Sequence, residues 1–574
     1  MHTVETVLLV LMLGALTGIA ARYVRAIPLP LIQIALGALI AWPQDGLHIA
    51  FDPELFLLLF IPPLLFADGW RIPKREFFAL AKPILLLAFG LVFITVFGLG
   101  YLIHWLIPSI PLTVAFALAA VVSPTDAVAV SAISRNLGMP SKTMHLLEGE
   151  SLLNDASGLV ALKFAVAATL TAGSFSWENA AKDFTWMSVG GLGLGALMGW
   201  GFSRGRDMVT RRVGDVAATQ MVLLLILLPF ASYVMGEYLG VSGVLPAVAA
   251  GIATDFADLC RSNFISERLQ TEGTWSMVEA AFNGAIFLLL GLQLPSIIGE
   301  TLRGAAHRDV WLLLGYVAAI SCALLALRWA WLMLGVRSSL HKAHRQGRMV
   351  ERPSALLTLA TTVAGIRGAV TLAAALSIPT HLANGRVFPE RNLLIFLATG
   401  TILFTLVLGS IVLPLLLRRI PPVEDTQAQH EERLARTAAC QAAIASLALP
   451  EDQAQQHSAQ WLAQHQEVAG RITQEYRNRI QLLDESGVAN TPEAQSDSPE
   501  VVHERRLRYL REIELRLHCI QVERNTLYAE RQAHRINDEM LRSMVSELDM
   551  SEVSLRKRLA VARRAVGLPP LEGH

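Results

Sequence analysis

The sequence predicts an all-α polytopic membrane protein that carries a helical cytoplasmic tail. Of its 574 residues, 53% are hydrophobic and 17% are charged, and the mean hydropathy is +0.45. A soluble domain of ordinary composition carries about 25% charged residues. The low charge and the positive hydropathy therefore indicate a chain that is built mainly for a lipid bilayer.

Charge also divides the chain into two domains near residue 420. Residues 1–420 contain 53 charged side chains, whereas residues 421–574 contain 43 in only 154 positions. We therefore predict a transmembrane domain at 1–420 and a soluble helical tail at 421–574, with a linker at 486–500. The tail is expected either to regulate the membrane domain or support a dimer, or to be a solvated extension without a sensing role; no tail partner is predicted.

The overall charge and the cysteines exclude some classes of protein. The 48 basic and 48 acidic residues cancel, which gives no support for a nucleic acid partner. The four cysteines lie at positions 260, 322, 440 and 519, which is neither a zinc-site spacing nor a disulfide framework. No cofactor is predicted.

Apolar segments in the first domain predict thirteen spans. About 20 apolar residues cross the roughly 30 Å of bilayer hydrocarbon, and broken segments need fewer. The predicted spans are 4–21, 28–42, 53–68, 82–107, 112–135, 143–171, 186–204, 217–239, 241–255, 272–299, 309–336, 354–378 and 391–418.

Lysine and arginine predict the orientation of these spans. Alternate loops carry 21 basic residues on one side and five on the other, and the richer side is expected to be cytoplasmic. The N-terminus is then outside and the tail inside, in the bacterial plasma membrane. Because the start of the chain carries Glu5 and no lysine or arginine, while Arg22 and Arg25 follow the first span, we predict an uncleaved helix and not a signal peptide.

The fifth span contains a predicted break near the bilayer midplane. Pro124 removes a backbone donor, so the helix is expected to break between Ser123 and Asp126. Asp126 lies about 14 residues from the outer end, or about 21 Å. Irregular backbone at this depth is tolerated only where it lines a cavity or is buried in protein.

The sixth span brings oxygen ligands to the same depth. Asp155 lies about 12 residues, or about 18 Å, from the cytoplasmic end, and Ser151 stands one turn before it. Thr125, Ser151 and Asp155 would offer hard oxygen ligands to a transported Na⁺ or Li⁺ ion. These residues are the predicted metal ligands.

Two arginines are expected to support this site. Glu150 and Arg328 lie at similar depths in spans 6 and 11, which predicts a structural ion pair. Arg367 lies near the midplane of span 12 between Gly365 and Gly368, which predicts a second broken span. Spans 5 and 12 would then cross near the midplane as matching parts of two inverted six-helix repeats, spans 1–6 and 8–13.

The carboxylates near the midplane predict ion exchange. If Asp155 holds either a proton or a cation, the two compete, and exchange follows when the empty site seldom crosses the membrane. An enzyme would need a nucleophile with its base or an HExxH metal site, and neither is found in the sequence. A channel would need a continuous polar lining. A membrane sensor that acts through the tail would not need Asp155.

Several short motifs resemble one transporter family in their order along the chain. These motifs are FIPPLLFADG at 60–69, SPTDAVAV at 123–130, EGESLLNDASG at 148–158, an arginine in span 11 and GIRGAVTLA at 365–373. In this order they resemble the bacterial NhaP-type sodium/proton antiporters, within the monovalent cation:proton antiporter family that includes the sodium/hydrogen exchangers. The resemblance covers about residues 5–420.

The resemblance implies specific roles and properties. Asn154 and Asp155 would form the ion-site pair, which implies electroneutral exchange of Na⁺ for H⁺, with Thr125 and Ser151 as further ligands. The side chain of Asp126 would face the point where the broken spans 5 and 12 cross. The resemblance also implies a homodimer and a role in pH and cation homeostasis. Selectivity among Na⁺, Li⁺ and K⁺ stays open, and a K⁺/H⁺ antiporter is the alternative.

Overall fold

The computed structural model divides the chain into two compact units, Met1–Val423 and Glu424–His574. Every regular element among the described residues is helical, apart from an isolated bridge between His381 and Val387. The described residues are 2–21, 23, 27–42, 53–134, 137, 139–170, 182, 185–213, 218–258, 265–303, 309–346, 354–381, 387–420, 437–438, 440–447, 459–483, 499–532 and 538–566. Most of the predicted linker, 486–498, lies outside these ranges.

The first unit is a bundle of helices. In chain order they are α1 (His2–Ala20), α2 (Leu29–Ala41), α3 (Pro53–Arg71), α4 (Lys74–Ala79), α5 (Ala81–Leu85), α6 (Val92–Leu106), α7 (Leu112–Val121), α8 (Ala127–Ser134), α9 (Ser141–Leu170), α10 (Gly191–Val213), α11 (Ala218–Tyr238), α12 (Val244–Asp258), α13 (Ile265–Arg303), α14 (Val310–Arg345), α15 (Ala355–Val363), α16 (Ala369–Leu376) and α17 (Arg391–Leu417). π-helical turns at Leu86–Leu91 and Trp186–Gly190 precede α6 and α10.

Helices lie within all thirteen predicted spans, although their ends differ from the prediction. The helices α13 and α14 run past the predicted limits 272–299 and 309–336. Hydropathy marks only the apolar part of a helix, whereas backbone hydrogen bonds continue into its charged ends. The predicted span 82–107 corresponds to the apolar helical segment Ala81–Leu106, which includes a π-helical turn at Leu86–Leu91.

Six described helices are long and apolar enough to cross a bilayer. These are Ala81–Leu106, Ser141–Leu170, Thr219–Tyr238, Gln270–Gly299, Val310–His341 and Arg391–Leu417, where the first includes the π-helical turn. Four further apolar helices are shorter. The number of crossings stays a prediction.

The helix pairs α7/α8 and α15/α16 are each separated by a short stretch without helix. The first stretch covers 122–126 and the second covers 364–368. The second contains no proline, and the local signal is the pair of glycines that flanks Arg367.

Glycines let helix α12 pack closely between its neighbours. A Cβ on Gly195 of α10 would meet the Pro246 carbonyl oxygen of α12. On the other side, a Cβ on Gly251 of α12 would meet the Phe66 carbonyl oxygen of α3. Small residues allow such close approach in membrane helices. These contacts hold α3, α10 and α12 together as one group.

The second unit contains three long helices, α18 (Ala459–Leu483), α19 (Pro499–Gln532) and α20 (Asp538–Ala565). Leu510 and Ile513 of α19 pack with Leu559 and Ala562 of α20 in a small apolar core. Ion pairs join the same two helices away from this core, where Arg524 contacts Asp549 and Glu552.

Candidate ion-binding site

The two broken helices meet at their unwound segments. The backbone N–H of Asp126 donates to the Ile366 carbonyl oxygen at 2.7 Å. A Cβ on Gly368 would overlap the Asp126 carboxylate, so this contact leaves room only for glycine. The chain therefore forms a crossing in which 122–126 lies against 364–368.

Arg367 satisfies carbonyl groups that the breaks leave without helical partners. Its Nε donates to the Val122 carbonyl oxygen at 3.0 Å, and its Nη1 donates to the Gly365 carbonyl oxygen. The side chain is 3% exposed. Because each buried carbonyl needs a donor, one guanidinium stabilises both unwound segments.

Asp126 caps the second half of its own broken helix. Its Oδ1 accepts from the backbone N–H groups of Val128 at 2.8 Å and Ala129 at 3.1 Å. An acidic side chain at a helix N-terminus is favourable because the free N–H groups carry partial positive charge. Its other oxygen, Oδ2, lies beside Gly368.

Helix α9 packs directly against the break at 122–126. The Ser151 hydroxyl donates to the Thr125 carbonyl oxygen at 2.8 Å, and Asn154 Nδ2 donates to Thr125 Oγ1 at 2.8 Å. A Cβ on Gly158 would meet the ring of Pro124, which explains the glycine there. Among the described residues, none partners the buried Asn154 Oδ1.

Asp155 differs from Glu150, the other acidic side chain in the buried part of α9. Its side chain is buried, with 7% of the residue exposed, and no described residue donates a hydrogen bond to its carboxylate. The charges that act on it most strongly are two further carboxylates, Asp126 and Asp68. Asp155 is therefore a buried acid without a compensating group in the described part of the chain.

Glu150 lies five residues before Asp155 and is fully compensated. Arg328 of α14 binds it in a bidentate ion pair, with Nη2 at 2.8 Å from Oε2. Both side chains are 2% exposed or less. Arg328 Nε also donates to the Thr361 carbonyl oxygen at 3.2 Å, which joins the pair to the second broken helix.

Two contacts around this site have no local signal in the sequence. Ser157 donates to the Ala88 carbonyl oxygen at 2.6 Å, within the π-helical turn before α6. Lys74 forms an ion pair with Asp255 at 2.5 Å and also donates to the last carbonyl groups of α3. Both depend on which helices are neighbours, and no pattern along the chain marks them.

The oxygen atoms gathered here suit a small hard cation. The carbonyl and hydroxyl of Thr125, the Ser151 hydroxyl, the Asn154 amide oxygen and the Asp155 carboxylate lie on two adjacent elements. Oxygen ligands favour alkali and alkaline-earth cations over soft metals. Broken helices that meet at a buried polar site are typical of secondary transporters.

Comparisons with known proteins identify this transporter class. The transmembrane family of sodium/hydrogen exchangers matches residues 8–419, and the chain belongs to this family. Its members are monovalent cation/proton antiporters and not enzymes. The protein is therefore embedded in a membrane, and the predicted family is confirmed.

Individual relatives agree with this assignment. The chain is 42% identical over 556 residues to an Escherichia coli K12 protein named as an uncharacterized Na⁺/H⁺ exchanger, YjcE, covering 96% of this chain and 98% of that protein. It is 46% identical over 432 residues to a sodium, potassium, lithium and rubidium/H⁺ antiporter of Bacillus pumilus, covering 74% of this chain and 64% of that protein.

A solved structure supports the fold. The sodium proton antiporter MjNhaP1 from Methanocaldococcus jannaschii at pH 8 matches with a TM-score of 0.57 at 17% identity. The match covers 73% of this chain and 98% of that chain. At this identity the likeness shows a shared fold.

Proposed function

We propose that the protein exchanges Na⁺ for H⁺ by alternating access and that Asp155 binds either the proton or the cation. The observation that carries this proposal is the buried Asp155 carboxylate, which no described residue compensates. A buried carboxylate of this kind is stabilised by a proton or by a metal ion, and both cannot occupy it together. Competition at one group then couples the two flows.

The neighbouring oxygens would complete the cation site. Thr125 and Ser151 contribute as ligands, and Asn154 presents an oxygen that lacks a partner among the described residues. Asp126 adds a second negative charge at the crossing. Pro124 and Arg367 hold the unwound segments in place, and Glu150 with Arg328 anchors α9 to α14.

One titrating carboxylate favours electroneutral exchange. A single charge at Asp155 is balanced equally by one proton or by one monovalent cation, so no net charge would move. K⁺/H⁺ exchange is the second candidate, and Li⁺ is a further candidate substrate. The Bacillus pumilus relative supports this breadth, because its name includes sodium, potassium, lithium and rubidium.

The proposal includes a topology for the whole chain. Thirteen spans would form two inverted six-helix repeats around the crossing, in the plasma membrane, with the N-terminus outside. The domain at 421–574 would lie in the cytoplasm, either as a regulatory tail or as a plain extension. We also propose a homodimer that serves pH and cation homeostasis.

Proton flux in everted vesicles tests this function. A pH-sensitive dye should respond when Na⁺, Li⁺ or K⁺ is added to wild-type vesicles, and the relative responses give the selectivity. We expect Asp155→Asn to reduce the response to that of vesicles without the protein, since an amide can neither release a proton nor balance a cation. Ser446→Ala in the tail serves as the matched control and should behave as wild type.

Two outcomes would contradict the proposal. The first is an Asp155→Asn protein that is folded and still moves protons in response to cations. The second is a folded wild-type protein that responds to none of the three cations at any pH. The second outcome would favour a sensor that acts through the tail.

A further inference from the structure

A small apolar cluster lies next to Asp155 on the side toward the C-terminal end of α9. Ala156 and Val160 of α9 and Leu245 of α12 are 3%, 2% and 5% exposed. Phe164 packs against them one turn further along α9, and the cluster is separate from the main core of the unit. These side chains form a contact between α9, the helix that carries Asp155, and α12.

An ion pair also joins α9 to α11, the helix that precedes α12. Lys163 of α9 lies eight residues beyond Asp155, and its Nζ is 3.0 Å from Glu237 Oε1 of α11. The two side chains are 48% and 45% exposed. Lys163 and Glu237 therefore lie at the exposed edge of the apolar cluster.

Glu237 has a fixed position, because it belongs to the turn between α11 and α12. Its Oε1 also accepts from the backbone N–H of Gly243 at 3.1 Å. A Cβ on Gly243 would press against this oxygen and against the ring of Tyr233. Lys163 thus meets a carboxylate that the neighbouring turn holds in place.

The opposite side of Asp155 is less closed. Ser151 and Asp126, which lie toward the N-terminal part of α9, are partly exposed, and Val128 is 36% exposed. The residues beside Asp155 are therefore more exposed toward the N-terminal end of α9 than in the apolar cluster.

We propose that the apolar cluster and the Lys163–Glu237 pair form a gate that closes the ion site toward the C-terminal end of α9. The proposal rests on the exchange function above, because alternating access needs a barrier that opens on this side. Exposed ion pairs contribute little to stability. Such a pair can hold the closed state and still break in every transport cycle.

Thiol labelling of the apolar cluster tests the gate. The experiment uses the full chain with Leu245→Cys, in which the four native cysteines are replaced by serine and exchange is retained. A membrane-impermeant maleimide is added from the side that faces the C-terminal end of α9. We expect slow labelling with the native pair and a several-fold faster rate with Lys163→Gln or Glu237→Gln.

The two neutral variants are chosen to leave the fold intact. Glu237→Gln keeps a side-chain oxygen that can accept from the backbone N–H of Gly243, and Lys163→Gln keeps a long polar side chain. Lys163→Arg keeps the positive charge and leaves Glu237 unchanged, so it should label at about the native rate. Arg511→Gln removes an exposed pair in the tail and should leave the rate unchanged.

Unchanged labelling in both neutral variants would overturn the gate. Equally fast labelling in Lys163→Arg and Lys163→Gln would also overturn it, because the effect would then not come from the attraction between the two charges. Labelling does not depend on ion transport. A failed gate with intact exchange is therefore distinguishable from a failed exchange proposal, in which the wild-type vesicles show no cation response.

Discussion

Two carboxylates on helix α9 have similar burial but opposite surroundings. Glu150 is 1% exposed and Asp155 is 7% exposed, and only five residues separate them. Glu150 receives both arms of the Arg328 guanidinium. Asp155 receives no hydrogen bond from the described residues, and its strongest charged neighbours are also acids.

The comparison separates a structural acid from a functional one. Burying a charge is costly unless it is paired and hydrogen-bonded. Glu150 meets this condition through protein groups alone, so it needs no ligand. Asp155 does not meet it, and a proton or a cation can supply what is missing. Burial by itself would not have distinguished the two.

The largest expected effect comes from breaking the compensated pair. Glu150→Gln leaves the buried Arg328 guanidinium without a counter-charge, which costs about 3–5 kcal/mol of the free energy of unfolding. The midpoint of thermal unfolding in detergent should fall accordingly. Asp155→Asn is the matched control, and it should cause no such fall, because it removes no partner from another residue.

The double variant Glu150→Leu with Arg328→Met sharpens this result. It removes both charges, so it should be more stable than Glu150→Gln alone. Equal destabilisation by Glu150→Gln and Asp155→Asn would erase the distinction drawn between the two acids.

Asp126 has both a structural contact and a charge near the ion site. Its substitution should have a smaller effect on stability than that of Glu150. One oxygen caps α8, while its charge acts on Asp155. Asp126→Ala removes the cap and should cost about 1 kcal/mol of the free energy of unfolding. Asp126→Asn keeps a capping oxygen, so its thermal midpoint should stay nearer to that of the wild type.

Asp126→Asn also tests the role of the negative charge of Asp126. It should need a higher Na⁺ concentration for half-maximal exchange, because one of the negative charges near the site is lost. If Asp126→Asn and Asp126→Ala lower the thermal midpoint equally, the cap is not the stabilising feature.

The sequence revealed the parts of this site that have local causes. Pro124 predicts the first unwound segment, and the glycines around Arg367 predict the second; the structure has both at 122–126 and 364–368. Depth along the spans predicts the pairing of Glu150 with Arg328, which contact one another. These inferences succeed because backbone chemistry and helical rise are properties of the chain itself.

Features that depend on neighbouring helices escaped prediction. The π-helical turn Leu86–Leu91 lies in an apolar segment that reads as ordinary helix, and its contact with Ser157 is set by packing. The pairing of Lys163 with Glu237 likewise has no local signal in the sequence, because it depends on α9 and α11 being neighbours. The ion-site roles and the inverted repeats remain predictions.

The smallest expected effect concerns a paired acid that is only partly buried, with 14% of its side chain exposed. In the tail, hydrogen bonds from Arg524 and then Arg556 lower the pKa of Glu552 below its ordinary value of 4.5. A carboxyl whose pKa is lowered by folding stabilises the folded state above its ordinary pKa and loses that contribution as the pH falls through the lowered value. The contacts between α19 and α20 should therefore weaken on acidification below about pH 4.5.

Amide hydrogen exchange of α19 and α20 in the full chain, corrected for the intrinsic effect of pH, measures this change. Asp549 and Arg556 of this network are 57% and 44% exposed, and water and salt screen pairs that are open to solvent. The gain in exchange rate should therefore be far smaller than the effect of Glu150→Gln. Glu552→Gln should show slightly faster exchange at pH 7 and lose part of the acid response. Glu150 and Glu552 both bind arginine and differ chiefly in their exposure. If substitution of Glu552 destabilised its helices as much as substitution of Glu150 does, burial would not be the reason for the importance of the Glu150–Arg328 pair.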